Sequence, residues 1–234
     1  MNRVLLFDLD DTLLDFRAAQ MQALREVFRT YNMTWSKEKV ERYQVVNRSF
    51  WSRYEQGLIG KKRVLEDRFT VFLQQEGIAV DGGEADAVFR SQLEQSREFI
   101  DGAQTVLDVL AETHRLFIVT NGAAATQRRR LVNSGIEQLV EGVFISEEIG
   151  APKPSSVFFD HVFNQLPDVA REEAVIIGDS LEADILGGSR AGLETIWFNQ
   201  EGRPLTGEAV PDHIVTKLPE LLVKLDEQAR TLQS

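Results

Sequence analysis

Apolar residues follow two rhythms along this chain. In several places they form short unbroken runs: Val4–Phe7, Leu116–Val119, Val143–Ile145, Ala174–Ile177 and Thr195–Phe198. Runs this short suit strands buried on both faces, as in a parallel sheet. Elsewhere they recur every three to four positions, as on one face of a helix. Ala18, Met21, Leu24, Phe28 and Tyr31 predict a helix over 16–31, and Val64, Leu65, Phe69, Phe72 and Leu73 predict another over 61–75. Between them Ser36 is placed to cap a helix running to about residue 54, which Gly57 and Gly60 close. After Gly77 and the turn Asp81-Gly82-Gly83, a fourth helix is expected over 84–98.

The two rhythms divide the chain. Residues 15–100 carry the helical period alone. From Asp101 onward strands and helices alternate: helices near 103–112 and 124–134, then one with Val157, Phe158, Val162, Phe163 and Leu166 inward, then 181–191 and 218–232, with a last short strand at 213–215. Alternation of this kind implies a parallel sheet with right-handed crossovers. The expected fold is α/β: a Rossmann-like parallel sheet core with helices on both faces, built from residues 1–14 and 101–234. An all-helical cap domain over 15–100 is inserted after the first strand.

Three of the apolar runs stop abruptly at polar residues. Val4–Phe7 ends in Asp8-Leu9-Asp10-Asp11-Thr12, Leu116–Val119 in Thr120-Asn121-Gly122, and Ala174–Ile177 in Gly178-Asp179-Ser180. Ligands of open α/β sheets bind outside the carboxyl ends of the strands, so these residues share one edge. Clustered carboxylates repel, and a hard divalent cation with oxygen ligands, such as Mg2+, relieves that repulsion. Asp184, four residues after the N-cap candidate Ser180, either reaches such a metal or is stabilised by the helix N-terminus. Thr120-Asn121-Gly122 offers a hydroxyl and backbone N–H groups to an anion, and is equally an ordinary turn. Lys153, between Pro152 and Pro154, is either an aimed ammonium or a surface lysine before a helix.

Composition narrows the partners. The 234 residues carry 37 acidic and 26 basic side chains, a net charge of −11. Basic residues are dispersed apart from Lys61-Lys62-Arg63 and Arg128-Arg129-Arg130, which read as solvated helix faces, so no long nucleic acid is expected. No apolar run is long enough to cross a membrane. Cysteine is absent, which excludes disulfides and thiolate chemistry and fits a cytoplasmic protein. No signal-peptide pattern precedes the first strand.

Taken together, these segments resemble the haloacid dehalogenase-like superfamily of phosphohydrolases across nearly the whole chain. Its four motifs are matched in order by Asp8-Leu9-Asp10-Asp11-Thr12, Ile118-Val119-Thr120-Asn121-Gly122, Pro152-Lys153-Pro154, and Gly178-Asp179-Ser180 with Asp184. The resemblance implies Asp8 as nucleophile, Asp10 as general acid and base, and Thr120, Asn121 and Lys153 around the phosphate. It also implies Mg2+ held by Asp8, the main-chain carbonyl of Asp10 and Asp179, with Asp184 supporting. True dehalogenases of the superfamily lack the second aspartate, because a departing halide needs no proton; Asp10 therefore points to phosphoryl chemistry. Asp11 is left without assigned chemistry.

The cap stretch Trp51-Ser52-Arg53-Tyr54-Glu55-Gln56-Gly57 is similar to bacterial pyrimidine-type 5′-nucleotidases. The expected activity is a Mg2+-dependent phosphatase of small phosphorylated metabolites, acting through an aspartyl-phosphate on nucleoside 5′-monophosphates. The alternatives are a sugar- or other metabolite phosphatase, a phosphomutase, or a phospho-ligand binding module without turnover. Trp51 and Tyr54 either stack on a base or form the cap core with Phe50, and Arg48 or Arg53 is placed to meet a second anionic group.

Overall fold

A computed structural model describes residues 3–231. The chain opens with β1 (Val4–Phe7), then runs through α1 (Phe16–Thr30), α2 (Lys37–Glu55), α3 (Lys61–Gln75) and α4 (Gly82–Leu93) before α5 (Ala103–Ala111). The alternating part follows as β2 (Arg115–Thr120), α6 (Ala124–Ser134), β3 (Gly142–Ile145), the single turn α7 (Ser146–Ile149) and α8 (Ser156–Asn164). It continues through β4 (Ala174–Gly178), a π-helical turn at Leu181–Leu186, α9 (Gly187–Arg190), β5 (Glu194–Phe198), β6 (His213–Val215) and α10 (Glu220–Thr231).

The strands form one six-stranded sheet in the order β3-β2-β1-β4-β5-β6, and every pairing is parallel. Strand order reverses at β1, between β2 and β4, which is where open α/β sheets place their ligand sites. Val4 to Phe7 are all fully buried or nearly so, because helices cover both sheet faces. One face packs Leu5, Phe7, Ile118 and Ile177 against α5 and α10; the other packs Leu6, Val119 and Ile176 against Phe158, Phe159 and Val162 of α8.

The helices α1–α4 bury a separate core, with Leu24, Phe28, Tyr43, Phe69, Phe72 and Phe89 at its centre. Tyr43 stacks on Phe69 and meets Phe72 edge-on, with centroids 5.3 and 5.4 Å apart. The chain leaves and re-enters the sheet region through two adjacent stretches. Asp15 N–H donates to the Glu98 carbonyl and Ile100 N–H to the Leu13 carbonyl, both at 2.9 Å.

Several local expectations are corrected. The fourth helix starts at Gly82, capped by Asp81, and ends at Leu93. Gly82 is inside the helix because a Cβ there would lie 2.1 Å from the Glu66 carbonyl oxygen; its bare backbone lets α4 close on α3. Residues 96–98 are irregular instead, and carry the chain back to Phe99, which bridges to Leu14. Val157 is exposed: the Ser155 cap sets the phase of α8 so that Phe158 and Phe159 point inward. The helix expected over 181–191 begins as a π-turn. The final helix begins at Glu220, and its expected end at residue 232 lies outside the described residues.

Candidate active site

The loop after β1 is a tight turn that aims its carboxylates off the sheet edge. Leu13 and Leu14 N–H both return to the Leu9 carbonyl, at 3.0 and 2.9 Å. Asp11 takes a positive φ of 60° at its apex, and its carboxylate accepts the Arg17 N–H at 3.0 Å. Asp11 therefore braces the turn against α1, and burial raises its pKa to about 6.

Lys153 is the hub of the site. Its ammonium, 1% exposed, donates to Asp8 Oδ1 at 2.8 Å, Asp184 Oδ1 at 2.6 Å and the Val119 carbonyl at 2.7 Å. Three donors meet three acceptors, so the charge is fully satisfied. Burial alone would lower its pKa, but Asp184 and Asp8 carry it above the ordinary lysine value. Its backbone is gripped by Asn121, whose side-chain amide donates to the Lys153 carbonyl at 2.9 Å and accepts the Lys153 N–H at 2.8 Å. The Asn121 side chain thereby positions Lys153, and it also interacts with the Glu55 carboxylate. The lysine is not the surface group that the proline-flanked segment alone allowed.

Asp8, Asp179 and Asp184 each bring one carboxylate oxygen within 4.8 Å of the others. Asp184 reaches back over β4 because Gly178 lacks a side chain: a Cβ there would sit 2.2 Å from Asp184 Oδ2. That oxygen accepts the Ser180 N–H at 3.0 Å. Burial, with help from Asp184, Asp179 and Asp10, raises the Asp8 pKa well above the usual carboxylate range, although Lys153 opposes this. Burial, then Asp184, lifts Asp179 to about 7. Lys153 serves Asp8 and Asp184, and Arg203 donates to Asp179 Oδ2 at 3.3 Å, so three clustered carboxylates meet two cations and are short of positive charge. Their hard oxygen donors fit a cation such as Mg2+. Both Asp184 oxygens are already engaged, which leaves Asp8 and Asp179 as the more available ligands.

Thr120 Oγ1 accepts from Gly122 N–H at 3.2 Å and from Gln127 Nε2 at 2.9 Å, so its own proton is free to donate. Asp10 points away from the Lys153 hub. Its Oδ2 accepts from Gln127 Nε2 at 2.8 Å, and its Oδ1 accepts from Arg130 Nη1.

Sequence reasoning missed Gln127 and Arg130. The Arg128-Arg129-Arg130 run is not a solvated face throughout: Arg128 and Arg129 pair with Glu148 and Glu94, but Arg130 is fully buried. Successive residues of a helix point about 100° apart, so three in a row cannot all face water. Lys61 is likewise buried, at the start of α3, while Lys62 and Arg63 are exposed. Its ammonium donates to the Asn121 carbonyl and lies 4.0 and 4.5 Å from the centroids of Tyr54 and Trp51. Burial lowers its pKa to about 7. Tyr54 OH also crosses to the sheet region, donating to Ser146 Oγ at 3.0 Å.

A cavity of about 200 Å³ joins the two halves, running from Asp8, Asp10 and Thr120 to Asn47, Trp51, Glu55, Leu65, Arg68 and Phe89 of the inserted helices. Trp51 lines it, whereas Phe50 and Tyr54 are buried with Val46, Ile59 and Val64. Arg48 and Arg53 are exposed and do not line it. Glu55 does, with its pKa raised to about 7 by burial and then by Glu182 and Asp184.

The chain belongs to the haloacid dehalogenase-like hydrolases, whose family signature spans residues 5–198. It is 39% identical to the HAD-hydrolase YfnB of Bacillus subtilis over 94% of this chain and 93% of that protein. A crystal structure of YfnB bound to magnesium matches it with a TM-score of 0.90 at 38% identity, covering 96% of this chain and 98% of that one. It is 34% identical to the pyrimidine 5′-nucleotidase PynA of Streptococcus pneumoniae, over 96% of this chain and 95% of that protein. Against the pyrimidine 5′-nucleotidase YjjG of Escherichia coli it is 31% identical, over 92% and 94%. Among the described residues, no helix is long and apolar enough to cross a membrane.

Proposed function

We propose that this chain is a phosphatase that hydrolyses pyrimidine nucleoside 5′-monophosphates through a phosphoryl group carried on Asp8. The observation that carries the reading is the meeting of Asp8, Asp10, Thr120 and Lys153 on one cavity that reaches into the inserted helices. Residues 15–100 act as the cap over a core of 1–14 and 101–234. The nucleotidase names of two relatives over nearly their full length support the substrate class. So do Trp51, Leu65 and Phe89 on the wall of the cavity, which suit a flat ring.

In this reading an oxygen of Asp8 attacks phosphorus while the ester P–O bond breaks. Asp10 gives its proton to the departing 5′-oxygen. A water then attacks phosphorus, Asp10 takes a proton from it, and the Asp8–phosphate bond breaks to release phosphate. Splitting the displacement in two makes each half easier. An anionic nucleophile approaching an anionic phosphoryl group requires charge cancellation. Lys153, already bound to Asp8, supplies part of it, and the Thr120 hydroxyl donates to a phosphoryl oxygen. Asp8 and Asp179, with the Asp10 carbonyl, would hold Mg2+, while Asp184 orients Lys153. When bound, the cation offsets negative charge on the phosphoryl oxygens. Gln127 and Arg130 fix the position of the Asp10 carboxylate.

A phosphate-release screen over nucleoside monophosphates and sugar phosphates, with Mg2+ and with chelator, tests this. Release from thymidine and uridine monophosphates well above all sugar phosphates, and dependent on Mg2+, is expected. Preference for a sugar phosphate, or full release in chelator, contradicts it.

A further inference from the structure

The wall of the cavity formed by the inserted helices holds a second polar cluster, and its unpaired groups are donors. Arg68 of α3 is 2% exposed. It donates through Nη1 to Asn47 Oδ1 at 2.9 Å and through Nη2 to Asp86 Oδ1 at 2.7 Å. Arg90 donates to the other Asp86 oxygen at 2.6 Å. Every carboxylate and amide oxygen of the cluster is therefore occupied. What remains are donors: Asn47 Nδ2, which makes no hydrogen bond, and Arg68 Nε, which is buried without a partner.

Arginine can only donate, so its bond to Asn47 decides which way that amide points. The oxygen faces Arg68, and the NH2 group is the free end of a side chain 8% exposed that lines the cavity. Around it stand Trp51, Leu65 and Phe89, which suit a flat apolar body. A ligand acceptor that reaches this NH2 group completes the hydrogen bonding of the amide.

We propose that Asn47 is a specificity-determining residue whose Nδ2 donates to a carbonyl oxygen on the leaving group's ring, with Arg68 and Asp86 locking the amide in that orientation. This rests on the nucleotide phosphatase reading above, and it names the residue that reads the base. Leaving groups that bear a ring carbonyl are selected over those that bear none.

The test compares kcat/KM for uridine 5′-monophosphate with that for phenyl phosphate, which has no carbonyl, in wild type, Asn47→Asp and Asn47→Leu. Asn47→Asp keeps the oxygen that accepts from Arg68 and turns only the cavity-facing donor into an acceptor. The ratio of the two kcat/KM values is expected to fall about 10-fold or more in Asn47→Asp and about 5-fold in Asn47→Leu. Equal losses on both esters, leaving the ratio as in wild type, would mean a purely structural role and overturn the proposal. So would a ratio unmoved because neither ester is affected. Should Asn47→Leu fail to fold, the Asn47→Asp ratio alone decides. Wild-type turnover of phenyl phosphate without uridine monophosphate would refute the nucleotidase reading and this proposal with it. Good wild-type turnover of both, with an unchanged ratio in Asn47→Asp, refutes only the role of Asn47.

Discussion

The cavity has two buried ionic walls that are opposite in character. On the sheet side, Asp8, Asp179 and Asp184 cluster, with Lys153 bound to Asp8 and Asp184 and Arg203 to Asp179, and burial pushes the pKa values of Asp8 and Asp179 upward. On the helical side, Asn47, Arg68, Asp86 and Arg90 have used every acceptor and keep only donors. The first wall is short of positive charge and therefore suits a cation, which would in turn offset the charge of a phosphoryl group. The second lacks acceptors, and suits a neutral carbonyl. Both are largely buried charge clusters, and in the proposed reading the first carries the reaction while the second selects what reacts.

Removing the hub of the first wall should have the largest effect among the supporting residues. Lys153→Met leaves Asp8 and Asp184 without their shared ammonium. Breaking a buried pair from one side costs about 3–5 kcal/mol of stability, and losing a charge at the phosphoryl group costs about 10³-fold in kcat. Thermal unfolding and steady-state phosphate release check both. A variant with near-normal kcat would mean that this wall is structural.

Acidity distinguishes the walls next. Asp179 holds its proton up to a pH of about 7 when folded, against an ordinary value of 3.8. The folded protein therefore binds more protons than the unfolded chain between those values. That stabilisation is complete at low pH and is lost as pH rises through 7. In chelator, Tm should fall between pH 5 and pH 8, and Mg2+ should restore it at pH 8. The Mg2+ concentration for half-activation should rise up to about tenfold per pH unit below 7, as each cation displaces a proton. A flat Tm and a pH-independent Mg2+ requirement would break the contrast.

Lys61 ties the two walls together, since it leaves α3 and donates to the Asn121 carbonyl beside Lys153. Lys61→Met should raise KM about 5- to 10-fold through lost hydrogen bonding and cation–π contact, with a smaller change in kcat. A drop confined to kcat would place Lys61 in the chemistry instead.

Much of the first wall could be read from the sequence. Asp8, Thr120 and Asp179 stand where unbroken apolar runs stop, and parallel strands bring such ends to one edge. The all-helical block was equally plain, because no short apolar run interrupts residues 15–100. The second wall was not legible. Asn47 and Arg68 are 21 residues apart, and Arg68 and Asp86 are 18 apart, on three different helices. Nothing in the local period shows that a polar residue on an apolar stripe has found a partner. Gln127 and Asp10 meet across 117 residues, and Lys61 and Asn121 across 60. Arg130 was hidden for a further reason: the half-buried Arg128 and the exposed Arg129 beside it lent it their character. The end of α4 was misplaced because Gln92, Glu94 and Gln95 suit a helix, while the pairing of Phe99 with Leu14 draws the chain out of it.

Every other role proposed for this site depends on Asp8 carrying the phosphoryl group. The decisive variant is Asp8→Asn, assayed for phosphate release from thymidine 5′-monophosphate at saturating Mg2+ beside wild type. The substitution keeps the size of the side chain and removes its nucleophilic charge. A loss of about 10⁴-fold or more in kcat is expected, with nucleotide binding retained. Phosphate release within tenfold of wild type would show that Asp8 is not the nucleophile.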